Sequence, residues 1–396
     1  MRIIKAKFEV VTPMFLGESP LDKETTLCAN EIRGASVKGA LRAHFRALNW
    51  SRIRNASASN DSALKALHKE EADIFGSAVK EGKGGQASFL LRVKSGEIKV
   101  GKDLPNNSPE VQYLLGMGIY NFKLGMLRDH IPAGTLFELE LVVKPSLSNT
   151  QIAQIKDTLL AFGLLGGLGS RARKGFGSVS ILSLSDNGES VSIPSTVSEY
   201  KDAVKSLVGS GLTDELPPLT AFSKHTKLQV SAVEKDAMGL LKKHGYEMGR
   251  YRGYGRNDRG THKVFGEQAL QLFKDDHDWV YDFDKRKETP SFVPKRTVFG
   301  LPHPYFTSSG IKLSFEPKNG RRASPLFAHV HKLGDGGYAL VHTVFHSEFL
   351  PNSVSVIAKS RNNKRDYSNM NEKVDWTVLD EYLQRFNPKA EDVIYG

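Results

Sequence analysis

The 396-residue chain has one cysteine, Cys28, which excludes an intrachain disulfide and any zinc site built from paired cysteines. It has no apolar run near the roughly 20 residues that cross a bilayer, so no membrane attachment is expected. Met1-Arg2-Ile3-Ile4-Lys5-Ala6-Lys7 alternates where a secretory leader would carry an apolar block, and the expectation is a cytoplasmic protein. No HExxH and no paired Cys/His spacing occurs. The richest glycine segment also lacks the Gly-Lys-Ser/Thr ending of a phosphate-binding loop, since Gly175 follows Lys174. No metal and no cofactor is therefore expected. Acid is in deficit, with 44 Asp and Glu against 55 Lys and Arg and a formal net charge of +11, which points to polyanionic partners.

What the chain does have is the composition of a soluble globular protein, 39% hydrophobic and 25% charged, at a length that favours two domains. In the first half Ile4, Ala6, Phe8 and Val10 alternate with Lys5, Lys7 and Glu9, which predicts a half-buried strand facing solvent through its polar side. From Ser36 a helical stripe follows through Val37, Ala40, Leu41, His44, Phe45 and Leu48. Strands are predicted around Phe89–Val93 and Phe137–Val143, a helix through Ile152, Ile155, Leu159 and Phe162, and a closing strand through Phe176, Val179 and Ile181. The order β-α-β-β-α-β is ferredoxin-like, the arrangement of RNA-recognition modules.

Residues 191–218, rich in Ser, Asp, Gly and Pro, read as a linker with one helix near Tyr200–Leu207. Beyond it come a strand at Lys227–Val230 and a helix holding Val233, Ala237, Leu240, Leu241 and His244. Strands at Ile311–Phe315, Leu326–Val330 and Tyr338–Phe345 follow, then a last helix at Val378–Phe386. The expected class is α+β: two ferredoxin-like, RRM-like domains with insertions, at residues 1–190 and 219–396.

Four basic constellations carry the functional reading. Residues 166–177 hold five glycines and the cations Arg171, Arg173 and Lys174, between a helix and a strand. Gly167 and Gly169 would let backbone amides approach a polyanion closely; a helix cap with a tight turn explains only one or two of the glycines. Lys38, Arg42 and Arg46 lie four apart on one helix face. Arg33, Gly34 and Ser36 stand where that helix begins and its amides are open to a phosphate; a solvated basic face with Ser36 as N-cap is the plain alternative. Arg250, Arg252 and Arg256 interleave with tyrosines and glycines, which suits a single strand gripped by guanidiniums and stacked on rings. A surface insertion that happens to be basic explains that segment equally well. Arg321 and Arg322 form the fourth element.

Candidate catalysts are few. His277-Asp278 has no second His/Asp set beside it and reads as a surface helix end. His44 lies on the apolar stripe, which favours packing over acid–base work, and Asp22 reads as a solvated loop carboxylate.

The segment Arg33-Gly34-x-Ser36-x-Lys38-Gly39-x-Leu41-Arg42-x-x-x-Arg46-Ala47-Leu48, then Asp73-Ile74-Phe75-Gly76-Ser77 and residues 166–177, resembles the RAMP superfamily of CRISPR proteins. Phe299-Gly300-Leu301-Pro302, Arg321-Arg322-Ala323-Ser324-Pro325-Leu326 and Phe349-Leu350-Pro351 extend the likeness into the second half. Within the superfamily the chain looks like the first, two-domain RAMP subunit of the type III-B (Cmr) effector complex. The resemblance implies a non-catalytic subunit that caps the effector filament near the 3′ end of the CRISPR RNA and helps hold guide and target RNA in antiviral defence. The implied partners are CRISPR RNA, complementary target RNA and other RAMP subunits. Carried over by the resemblance, Arg33, Ser36, Lys38, Arg42 and Arg46 would contact RNA phosphates or line the adjoining groove, and Arg171, Arg173 and Lys174 would do the same from the glycine-rich segment. Two rivals from the same superfamily remain: a guide-processing endoribonuclease using a histidine such as His44, and a target-cleaving backbone subunit using Asp22. Over half of the chain follows the glycine-rich segment, which such nucleases usually carry near the end, and backbone subunits are generally single-domain.

Overall fold

The computed structural model describes residues 2–17, 31–80, 83–104, 107–116, 118–286, 291–306 and 312–396. Among them, the first half builds a five-stranded sheet. Its strands are β1 (Arg2–Val10), β2 (Phe89–Ser95), β3 (Leu136–Val143), β4 (Val179–Asp186) and β5 (Glu189–Val191), in the spatial order β2-β3-β1-β4-β5 with antiparallel neighbours. The alternation of β1 is realised: Ile4, Ala6, Phe8 and Val10 are wholly buried while Lys5 and Lys7 are exposed. Glu9 departs from the solvent face expected for it. It is buried because Lys332 of the second half reaches it at 2.8 Å.

Three long helices serve this module. α1 (Gly34–Asn55) buries Val37, Leu41 and Phe45 as its stripe predicts. It begins three residues earlier than expected, with Arg33 instead of Ser36 in the N-cap position and no side-chain cap, so Ser36 lies inside the first turn and caps nothing. α2 (Asn60–Phe75), absent from the sequence reading, starts at a capping box between Ser59 and Ser62 and packs on α1. A short α3 (Pro109–Leu115) precedes α4 (Asn149–Leu165), which is capped by Ser148 with Gln151 and lies against β4. The helix and sheet are so close at Gly163 that a Cβ there would stand 2.4 Å from the Ile181 Cβ. Phe176, placed by sequence in the closing strand, lies in the loop before β4.

In residues 191–218, α5 (Val197–Val208) buries Tyr200, whose hydroxyl donates to the Leu164 carbonyl at 2.7 Å. Beyond it come β6 (Lys227–Glu234) and α6 (Ala237–Arg252). Val233 therefore belongs to the strand, not to the helix expected for it. Gly245–Arg252, read as part of an insertion, forms the last turns of α6.

The true insertion follows. It holds the small sheet β7 (Arg256–Asp258), β8 (Thr261–Val264) and β9 (Glu267–Gln268), then α7 (Lys274–Tyr281) and the strands β10 (His303–Phe306) and β11 (Lys312–Pro317). The core sheet resumes with β12 (Leu326–Lys332) and β13 (Tyr338–Val344). After β14 (Val356–Lys359) and β15 (Lys364–Tyr367), which complete a sheet with β10 and β11, come α8 (Thr377–Gln384) and β16 (Val393–Tyr395).

The second core sheet runs β12-β13-β6-β16. Numbered within its own module that is second, third, first, fourth strand, the same permutation as in the first half. Both modules are therefore ferredoxin-like, and the chain is α+β as expected. Their cores are continuous: Ile4, Phe162 and Tyr200 share one apolar cluster with Leu228, Val341 and Ile394.

Candidate nucleic-acid interface

The segment 166–177 folds back on the protein's own backbone. The Leu168 amide donates to the Gly177 carbonyl at 2.9 Å, the Ser170 amide to Phe15 at 2.8 Å and the Gly177 amide to Pro13 at 2.9 Å. Gly169, at φ +87°, and Gly177, at φ +60°, adopt the left-handed region that side chains avoid. A Cβ would stand 2.5 Å from the Phe15 oxygen at Gly169, 2.1 Å from the Leu168 oxygen at Gly177 and 2.9 Å from the Gly177 oxygen at Gly167. The close approach that these glycines permit is made here between the loop and its own chain, which fixes the loop's shape. Lys174 also pairs in parallel with Ala328, so the loop covers the edge of the second sheet at β12.

That rigid loop carries its three cations into a basic site shared by both modules. Arg171 donates through Nε to the Leu115 carbonyl; burial first, then Arg128 and Arg321, lowers its pKa. Arg173 donates to the Ser324 carbonyl, and burial together with Arg322 holds it at about 10. Lys174 is held at about 7 by burial, then by Arg252 and Arg171. Arg252 lies 4.3 Å over the Phe299 ring. Arg322 donates to the Ser347 hydroxyl at 2.7 Å and sits 5.5 Å over Phe349, and Arg321 is exposed beside it. Burial first and neighbouring cations second thus lower Arg171, Arg173 and Lys174, an electrostatic site that an anion would relieve. Segments far apart in sequence (171–174, 252 and 321–322) thus converge.

The remaining predicted residues are engaged elsewhere. Arg42 and Arg46 both pair with Glu71, itself only 3% exposed, Arg46 at 3.0 and 3.1 Å; Arg42 also donates to the Gly76 carbonyl at 3.1 Å. Lys38 and Gly34 line a separate shallow cleft with Phe89 and Lys144, and burial followed by Arg42 lowers the Lys38 pKa. Arg33 donates to the Gly17 carbonyl, and Ser36 is half-buried in the first turn of α1. Arg250 holds the β7–β9 sheet through the Gln268 carbonyl at 2.6 Å and Glu267 at 3.4 Å. Arg256 lies exposed, 5.4 Å over the Phe122 ring.

Sequence reasoning missed Glu71, although an acid in register with Ala63 and Leu67 on an apolar helix stripe was a readable signal for a buried counter-ion. It also missed the rings of Phe299, Phe327 and Phe349 as guanidinium supports, because nothing local links them to their arginines.

His44 is half-buried, 6.0 Å from the Phe162 ring, and burial lowers its pKa to about 4, so its imidazole is neutral at physiological pH. His277 stacks flat on Tyr254 at 4.2 Å. Among the described residues no three His, Cys, Asp or Glu side chains gather as a metal site, and no helix is long and apolar enough to cross a membrane. Asp22 and Cys28 lie outside the described residues.

Residues 7–180 match the family model of the RAMP superfamily. Over 340 residues the chain is 27% identical to Cmr1-1, a CRISPR system Cmr subunit of Pyrococcus furiosus, covering 81% of this chain and 82% of that protein. The fold is that of Cmr1 from Pyrococcus furiosus in its apo crystal form, with a TM-score of 0.51 at 21% identity, covering 96% of this chain and 97% of that one. A chain in the cryo-EM structure of the type III-B Cmr-beta complex bound to cognate target RNA also shares it, with a TM-score of 0.50 at 13% identity over 98% and 99% of the two chains.

Proposed function

We propose that this chain, which resembles the RAMP superfamily through its first module and Cmr1 over most of its length, is an RNA-binding, non-catalytic subunit of a type III-B CRISPR effector complex. In that role it caps the filament near the 3′ end of the CRISPR RNA and helps hold guide and target RNA against neighbouring RAMP subunits. Two modules, 1–190 and 219–396, joined by 191–218, present the interface together.

The observation that carries the reading is the convergence of Arg171, Arg173, Lys174, Arg252, Arg321 and Arg322 at the junction. Their mutual repulsion is relieved by phosphates, and a site shared by two modules suits a strand that runs along the seam. Lys38, Arg42 and Arg46 on α1, with Arg33, Gly34 and Ser36 at its start, are a second and separate RNA contact in this reading, and Arg250 and Arg256 a third. Gly167 and Gly169 contribute by fixing the loop. The neutral, packed His44 supports a role without proton transfer at that position.

The test is single-stranded RNA binding by the full chain across a salt series, with cleavage followed on the same oligonucleotide. Binding with a log–log salt slope of about −0.7 for each phosphate neutralised is the expected result. Cleavage abolished by His44→Ala or Asp22→Ala would sink the non-catalytic reading in favour of a nuclease, and RNA affinity unchanged by salt would sink the interface.

A further inference from the structure

A cleft of about 250 Å³ opens where the two modules meet, and the phosphate-binding reading leaves it unused. One wall is α1, through Ala43, His44 and Arg46. The opposite wall is the second module, through Phe327 and Phe345, and Arg173 of the glycine-rich loop stands at the side. At that volume it falls below the roughly 300 Å³ where pockets for drug-sized ligands begin, so its occupant is small.

Its chemistry is mixed in a particular way. The floor is aromatic: Phe345 meets Phe222 at 5.0 Å and Phe327 at 5.1 Å, both edge to face. Two guanidiniums line it and both are held in place. Arg173 stands over the Phe327 ring, 4.4 Å from its centre, with Nη1 on the Ser324 carbonyl. Arg46 is tied through Nη1 to Glu71, which leaves its Nε and Nη2 without a partner among the described residues. An apolar side chain would gain nothing from two fixed guanidiniums, and a free phosphate would gain nothing from three phenyl rings. A nucleotide uses both, its base over the rings and its phosphate at the cations. Arg173 also belongs to the basic site at the junction, so a strand following that site passes the mouth of the cleft.

We infer that this cleft receives a single unstacked base of the bound RNA strand, an inference that rests on the RNA-binding reading above. Arg173 and Arg46 take the flanking phosphates, Phe327 and Phe345 form the apolar seat, and the uncharged His44 offers a hydrogen bond to the base edge.

The experiment scans a single-stranded RNA with one abasic nucleotide moved along it, bound to the full chain, with inorganic phosphate as a competitor. One position, or one narrow register, loses roughly 5- to 100-fold in affinity when its base is removed, the range set by stacking of one base. Ala43→Phe, an exposed helix position whose new ring would fill the cleft, abolishes that positional penalty while salt-dependent RNA binding through the basic site at the junction persists. Leu219→Trp fills the cleft from the other side and guards against a folding defect in the first variant. Intact RNA binding with no positional penalty, or a penalty that survives both filling variants, overturns the base pocket and leaves the RNA-binding reading standing. RNA binding absent altogether overturns both.

Discussion

The guanidinium of Arg173 lies 4.4 Å from the ring centre of Phe327. One residue belongs to the glycine-rich loop of the first module and the other to the edge strand of the second, and the Ala328 amide donates to the Arg173 carbonyl at 3.0 Å beside them. The basic site is thus a joint product of both modules, its charge oriented before any ligand arrives.

Arg173→Ala removes one phosphate contact and the stacking. RNA affinity falls for all sequences and the salt slope shrinks by about 0.7, while folding stability drops by about 1 kcal/mol. Arg173→Lys keeps the charge without the planar fork, so it restores the slope but not the stability. Fluorescence anisotropy over a salt series together with urea unfolding reads both quantities. An unchanged slope in the alanine variant would remove Arg173 from the RNA interface.

Gly177→Ala introduces a Cβ 2.1 Å from the Leu168 oxygen at φ +60°. The expected loss is about 2 kcal/mol or more, because strain and clash act together. Gly39→Ala is the contrast: its Cβ would enter open space within α1, and the expected change is a gain of about 0.5–1 kcal/mol from helix propensity. Chemical denaturation of the two variants compares them directly. A loop whose glycines served only a ligand would leave Gly177→Ala as stable as the wild type.

Glu71→Gln leaves Arg42 and Arg46 sharing a neutral partner at a buried site. Stability falls by about 2 kcal/mol, moderated by the partial exposure of both arginines. A melting temperature unmoved by this change would show that the triad is structurally idle.

Acid destabilises the protein through its buried imidazoles. Burial holds His331 and His342 at about 3, and His244 lies well below 6.5, lowered by burial and then by His342 and Lys174. Their folded-state pKa values lie below the unfolded value near 6.5, so below that pH the unfolded chain binds protons the folded one refuses. The stability is fully present above about pH 6.5 and is lost as pH falls towards 3, by up to about 1.4 kcal/mol per unit for each imidazole. Lys174, held at about 7, shows the same sign in a higher window, with stability rising from pH 7 towards its ordinary 10.5. Urea midpoints measured from pH 4 to 9 check both. A flat profile between 4 and 6.5 would contradict the buried neutral imidazoles.

Local pattern was enough for the element types of the first module and for its basic segments. Period-two alternation in β1 and the stripe of Ile152, Ile155, Leu159 and Phe162 in α4 follow from one face meeting a core, and that information is contained in a few neighbouring residues. α2 escaped because its stripe includes Glu71, an acid whose burial makes sense only once Arg42 and Arg46 are across from it. Glu9 escaped for the same reason, its partner Lys332 lying in the other module.

The sequence by itself determined that the protein is basic and α+β and that its first half runs β-α-β-β-α-β along the chain, because these depend on composition and short-range periodicity. Only the tertiary structure decided which cations stand together. Arg171, Arg173 and Lys174 meet Arg252, Arg321 and Arg322 because β12 docks its edge on the glycine-rich loop, whereas Arg42 and Arg46 share the one carboxylate of Glu71 on a helix packed beside them. Electrostatics depends on distance in space, and distance along the chain carries almost none of it.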